Sequence, residues 1–243
     1  ATARGGGMTP RRPTSARRRP GRPPGPSQAP QLRVRLIEEA SRLYAEGGSV
    51  GLSFAVVAAR AGLTKATVFH YFPNKAALLR AVFEAFGARL ERAAEGWFAP
   101  RGGSHAARLD RLVEGLVAFY GREPLNARML GHALLEVAQR APWYAGTDLA
   151  PLRSFDRFVQ HFSAFIAAGV AAGEFYPDRP MATIMTIGGI ILFEFMLPDQ
   201  GRAFRGGASG DISLAARTAE MRAVIARAVV RPRTRLDRRR RTP

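Results

Sequence analysis

The chain has no cysteine among its 243 residues. That excludes disulfides, thiolate metal sites and cysteine nucleophiles, and it is compatible with a reducing cytoplasm. Long apolar runs are also missing. The nearest, Met181 to Met196, is 16 residues long and interrupted by Glu194, which is short for a membrane span. The basic N-terminal stretch has no apolar segment after it, so a signal peptide is not expected, and Met8 is a candidate start. Enzyme signatures are scarce. There is no G-x-S-x-G, no glycine-rich phosphate loop and no H-E-x-x-H, and Gly207-Ala208-Ser209-Gly210 lacks the required spacing. The four histidines, His70, His105, His132 and His161, are isolated in sequence. The expectation is a non-enzyme with no cofactor and no metal.

Acidic charge is short as well: 37 basic residues face 19 acidic ones, a net charge of +18. The imbalance sits at the ends. Residues 1–30 carry seven Arg and no acid, and residues 231–243 carry seven Arg and one Asp. Such arms attract polyanions by Coulomb attraction and counterion release. Seven Pro and five Gly in residues 1–30, with almost nothing apolar, predict a disordered arm; residues 231–243 read alike. Only Lys65 and Lys75 are lysines.

Between the arms, hydrophobic content supports a core and the periodicity is helical. Leu32, Leu36, Ala40 and Leu43 share a face, and Gly47-Gly48 mark a stop. Ser53 caps a helix through Ala61, Gly62 ends it in a left-handed turn, and Thr64 caps the next. Pro73-Asn74 leads into a long fourth helix. Amphipathic segments follow at about 105–121, 125–141, 151–172, 179–197 and 211–230, separated by prolines and glycine pairs. No run has strand periodicity, so the class is all-α.

The stretch from Leu52 to Arg80 has the layout of a helix-turn-helix unit that reads the DNA major groove. Val57, Ala58, Ala61, Leu63, Val68 and Phe72 are spaced as a small core. Lys65, Ala66, Thr67, Phe69, His70 and Tyr71 would face outward. Lys65 suits a guanine edge or a phosphate, and Thr67 a phosphate or a thymine methyl. Lys75 and the backbone N–H groups after Asn74 would form an anion site. An ordinary helical hairpin with a solvated face is the bland alternative.

The string from Ala58 to Leu79, with Gly62-Leu63-Thr64-Lys65-Ala66-Thr67-Val68-Phe69-His70-Tyr71-Phe72-Pro73-Asn74-Lys75 at its centre, resembles the DNA-binding domain of the tetracycline-repressor (TetR) family. The resemblance implies a bacterial, cytoplasmic, all-helical homodimer whose recognition helices enter successive major grooves of a palindromic operator. A C-terminal domain would bind a small effector and release the DNA. The implied DNA contacts are Ser53, Thr64, Lys65, Ala66, Thr67, Phe69, His70, Tyr71 and Lys75. Phe69 stands where the family usually has Tyr, and Ala55 and Val56 stand where polar residues usually project. Each lost neutral hydrogen bond weakens binding by about 1 kcal/mol, which the arginine arms could offset. Within the first arm, Pro20-Gly21-Arg22-Pro23 after Arg17, Arg18 and Arg19 resembles the core of a minor-groove AT-hook; nonspecific phosphate attraction is the alternative.

The expected division is 1–30 arm, 31–76 DNA-binding domain, 77–230 effector and dimerisation domain, and 231–243 arm. Phe155, Phe158, Phe162 and Phe165 share a face, fitting a core or dimer seam, or else an aromatic ligand cage. Ile184, Ile187, Ile191 and Phe195 make a second apolar face, with Gly188-Gly189 allowing close helix approach. By the resemblance, 151–172 and 179–197 from two subunits form a four-helix dimer bundle. A pocket is expected among 105–121, 125–141 and 151–172, lined by Asn126, His132, Glu136, Gln139, Trp143, Tyr144, His161 and Phe162, and suited to a largely hydrophobic effector. His132 and Glu136, four apart, read as a hydrogen-bond pair rather than a metal site. The competing functional reading is an architectural DNA-binding protein, driven by its arginine arms and insensitive to sequence.

Overall fold

The computed structural model describes residues 29–99, 102–138, 155–177, 179–196 and 213–232. Among these residues the chain is helical, with one isolated antiparallel bridge between Phe175 and Val230. The helices are α1 (Ala29–Gly51), α2 (Phe54–Arg60), α3 (Lys65–Tyr71), α4 (Lys75–Ala94), α5 (His105–Arg122), α6 (Leu125–Ala138), α7 (Asp156–Ala171), α8 (Pro180–Met196) and α9 (Leu214–Val229). Apart from Ala29, Pro30, Arg231 and Pro232, the expected arms lie outside the described residues, as do Gln139, Trp143 and Tyr144; Ala29 and Pro30, expected in a disordered arm, are helical.

α1 buries Leu36, Ile37, Ala40, Leu43 and Tyr44 on one face. It breaks at Gly47 and Gly48, where Gly48 takes φ 60°, a conformation cheap only without a Cβ. α2 ends at Gly62 in a Schellman motif: the Leu63 N–H donates to the Ala58 carbonyl at 2.8 Å and the Gly62 N–H to the Ala59 carbonyl at 3.1 Å. Ser53, Thr64 and Asn74 cap α2, α3 and α4 through their side chains. Each satisfies a first-turn N–H that has no partner within the helix.

α4 is the spine. Its 20 residues span about 30 Å at 1.5 Å per residue. Near its start Leu78, Leu79 and Val82 are fully buried, and the helix packs along α1. Phe83 then meets Tyr44 edge-on at 5.2 Å, and Phe86 meets Phe155 at 5.1 Å. The expected domain boundary at 76 falls in the first turn of this continuous helix.

The four phenylalanines of the 155–165 face are all buried. Phe158, Phe162 and Phe165 stack around Phe98 at 5.8, 5.9 and 6.3 Å, so the face packs inward, with Phe158 also bordering a cleft. Gly169 lets Phe175 close over the end of α7: a Cβ there would lie 2.2 Å from the Phe175 ring. The turn after α7 is a second Schellman motif with Gly173 at φ 70°. Beyond it the Tyr176 N–H donates to the Val229 carbonyl, and the Arg231 N–H to the Glu174 carbonyl at 2.8 Å. The end of the fold is thereby pinned to the α7–α8 link. α8 buries Ile184, Ile187, Ile191 and Phe195, while Met181, Met185 and Phe193 are exposed.

Candidate nucleic-acid interface and effector domain

α2 and α3 clamp through Val57, Ala58, Ala61, Val68 and Phe72, all buried. With Val68 turned inward, α3 presents Lys65, Ala66, Phe69 and His70 to solvent, flanked by the partly exposed Thr67 and Tyr71. Thr64 accepts from the Thr67 N–H at 3.2 Å, and the two hydroxyls lie 2.9 Å apart. This pair fixes the N-terminal end of the helix. Phe69 rests edge-on against Phe54 at 4.7 Å, and the Lys65 ammonium sits over its ring at 5.7 Å. The ring without a hydroxyl therefore supports Lys65 by a cation–π contact. His70 and Tyr71 also meet edge-on, at 5.3 Å. Ala55 and Val56 are exposed on α2. Arg60 is drawn back by both Glu46 oxygens, at 2.9 and 2.8 Å, and this contact holds the Glu46 carboxyl below its ordinary pKa.

Ser53, Thr64, Lys65, Ala66, Thr67, Phe69, His70 and Tyr71 thus lie on or beside one exposed edge. Lys75 differs. Its ammonium donates to the Ser49 carbonyl. Partial burial lowers its pKa, while the charge of Glu136 works in the opposite direction. In this pose Lys75 ties α4 to the end of α1 instead of forming an open anion site with the Asn74 turn. The Asn74 side chain itself accepts from the Ala77 N–H at 2.8 Å.

Among the described residues, the expected pocket residues Asn126, His132, Glu136, His161 and Phe162 do not converge on one cavity. Asn126 is buried and engaged: its Oδ1 accepts from Arg89 at 3.1 Å, and its Nδ2 donates to Glu123 at 3.2 Å. Phe162 is core. Glu136 faces α1, accepting from the Tyr44 hydroxyl at 2.8 Å and the Ser49 N–H at 2.6 Å. His132 lies against Tyr44 with ring centroids 6.1 Å apart, so the two are not paired with each other as expected but both serve the α1–α6 seam. His161 is exposed and lines an open cleft of about 330 Å³ between α4 and α7, with Glu91, Glu95, Phe98, Arg157 and Phe158. Arg157 reaches Glu91 at 3.3 Å across it. Sequence reasoning missed Glu91, Glu95 and Arg157 as a group, and Tyr44 and Ser49 as partners of Glu136. No local spacing signals a contact across 92 residues. Among the described residues, no cluster of three or more His, Asp or Glu could hold a metal ion, and no helix is long and apolar enough to cross a membrane.

Residues 36–82 match the family model of bacterial regulatory proteins of the tetR family. Solved structures with this fold include a candidate transcriptional regulator from Streptomyces coelicolor, at 22% identity and TM-score 0.62, covering 83% of this chain and 99% of that one. The fatty acid degradation regulator FadR from Bacillus halodurans aligns at 16% identity and TM-score 0.59, covering 84% of this chain and 96% of its own. AibR, solved with isovaleryl coenzyme A and operator DNA, aligns at 16% identity and TM-score 0.60, covering 81% and 97%. Among curated proteins no sequence matches the chain.

Proposed function

Through residues 36–82 the chain belongs to the TetR family of bacterial transcriptional regulators, and on that premise we propose that it is a repressor released from a palindromic operator by a small effector. The observation that carries the DNA-reading half is the edge of α3. Lys65, Thr67, His70 and Tyr71 line it, Phe69 supports Lys65, and Val68 anchors the helix from behind. Lys65 and Thr67 read bases or phosphates, and Ser53 and Thr64 add phosphate contacts from the helix starts.

Two copies are needed to read a palindrome. The outer faces of α7 and α8 are suited to the seam. α7 exposes Gln160, Ala164, Ala167 and Ala168, and α8 exposes Met185, Gly189 and Phe193. A Cβ built on Gly188 or Gly189 would meet nothing within 4 Å, leaving room for a partner helix.

The effector would lodge in the α4–α7 cleft. Phe98 and Phe158 offer apolar walls, and Glu91, Glu95 and Arg157 offer charge, so the ligand is amphipathic rather than purely hydrophobic. AibR, which has this fold, was solved with both an acyl coenzyme A and operator DNA, which supports pairing the two kinds of ligand in one chain.

The test is selection of duplexes from a random-sequence pool by the full chain, followed by footprinting. A palindromic consensus protected over two successive major grooves is the expected outcome. Retention of every duplex equally, with random DNA competing fully, would favour the architectural alternative driven by the arginine arms.

A further inference from the structure

The Ser49 backbone is held from two sides. Its N–H donates to Glu136 Oε1 at 2.6 Å, and its carbonyl accepts from the Lys75 ammonium. The other carboxylate oxygen, Glu136 Oε2, accepts from the Tyr44 hydroxyl at 2.8 Å. Tyr44 is fully buried in α1, just before the break at Gly47 and Gly48. Its ring packs against Phe83 of α4 and His132 of α6. Gly48 passes so close that an added Cβ would lie 2.7 Å from Glu136 Oε1 and 3.1 Å from His132 Nδ1. One carboxylate from α6 thus engages both flanks of the α1 break, and the residue it grips is bonded to the first residue of α4.

Hydrogen bonds to an ionised carboxylate are stronger than neutral ones, and partial burial strengthens them further. Their placement matters more than their strength. α1 packs against both α2 and α4, and the Gly47–Gly48 break is where α1 can pivot. We propose that Glu136 is a positioning residue: it clamps Tyr44 and Ser49 so that the effector domain holds the DNA-binding unit in one pose. A shift of α6 that withdraws the carboxylate frees both donors together and lets the α2–α3 pair turn about the glycine break. The inference rests on reading residues 31–76 as the DNA-binding unit, and it locates the coupling between the two halves of that reading.

The absence of cysteine makes the test clean. Spin labels at Ala59→Cys on α2 and Glu114→Cys on α5, both exposed positions, are introduced into the full chain. Dilution with unlabelled chain isolates the distance within one molecule. The parent should give one narrow distance. Glu136→Gln removes the charge and leaves one carbonyl oxygen, so the Ser49 N–H and the Tyr44 hydroxyl cannot both keep a charge-assisted bond to it. It should broaden the distance and weaken binding of a duplex selected by the parent chain at least about tenfold, which corresponds to about 1.4 kcal/mol. Leu135→Gln, exposed on the same helix, should change neither. A narrow, unshifted distance in Glu136→Gln with parental duplex affinity overturns the proposal, even if the melting temperature falls. The distance measurement needs no DNA. If the parent selects no duplex, the DNA-binding reading fails while the clamp is still judged on the distance.

Discussion

Phe69 shows how one side chain can serve the fold and the surface together. Its ring packs on Phe54 and underlies the Lys65 ammonium, so the missing hydroxyl removes a phosphate donor but leaves the aromatic scaffold intact. Phe69→Tyr should keep both contacts and add an outward donor. We expect it to tighten binding to a selected duplex by up to about fivefold, consistent with a net hydrogen bond of about 1 kcal/mol, as read by fluorescence anisotropy; weaker binding would mean that the ring edge faces a base. Gly48 makes the opposite point, since its constraint is steric. Gly48→Ala faces a left-handed φ and the Glu136 carboxylate at once, and should cost about 1–3 kcal/mol in denaturant melts. Gly47→Ala, with nothing within 4 Å of its Cβ and an extended φ of −145°, should be close to neutral. The glycine pair was legible in the sequence as a helix stop. Which of the two is irreplaceable depends on a carboxylate brought there from α6.

Helix ends were the most legible elements. The amphipathic stretch at 105–121 is the helix His105–Arg122, 179–197 is Pro180–Met196, and 211–230 is Leu214–Val229. Ser104 and Ser213 cap two of them with their side chains, and prolines or glycine pairs close the gaps, so local chemistry alone sets the limits. α1 begins earlier than expected, at Ala29, because Pro30 sits in the first turn, where a missing N–H costs nothing. The link between α7 and α8 was legible as a turn, but its clasp was not. Glu174 accepts from the Ala106 N–H at 3.2 Å and lies 3.3 Å from the His105 ring. Burial pushes its pKa up, but these hydrogen bonds and the His105 charge outweigh it and hold the carboxyl below its ordinary range. A folded pKa below the unfolded one stabilises the fold above about pH 4.5, and that contribution is lost as pH falls through the lower folded value. Glu174→Gln should therefore flatten the fall in thermal stability as pH drops below the ordinary carboxylate range; an unchanged acid limb in calorimetry would sink the assignment.

At the scale of the molecule, the two ends of the described fold sit in different places. α1 begins inside the DNA-binding unit. Arg231 is pinned to the Glu174 carbonyl, beside the Phe98, Phe165 and Phe175 cluster at the far end of α4. That is about 30 Å from Lys75 along the helix. If the arms assist binding, removing residues 1–28 should lower the slope of log affinity against log salt more than truncation after Pro232, by about 0.9 for each phosphate that is no longer neutralised. Equal slopes in all three chains would show that neither arm touches the duplex. The exposed apolar face of α8 makes a second prediction at this scale. Phe193, 62% exposed, should be covered in a dimer, so Phe193→Asp should yield a monomer in sedimentation velocity, while a persistent dimer would place the seam elsewhere.

The all-helical class, the order of the elements, the capped helix-turn-helix and its outward residues all follow from local rules: periodicity, caps and turn chemistry act within a few residues and are written in the chain. What only the tertiary structure decided lies between distant elements. It turned the ammonium of Lys75 to the Ser49 carbonyl, brought Glu136 to the α1 break and opened the mixed cleft between α4 and α7. These contacts depend on how long helices cross, and a carboxylate or an ammonium is equally at home in solvent, in a pocket or in a clamp until that crossing is set.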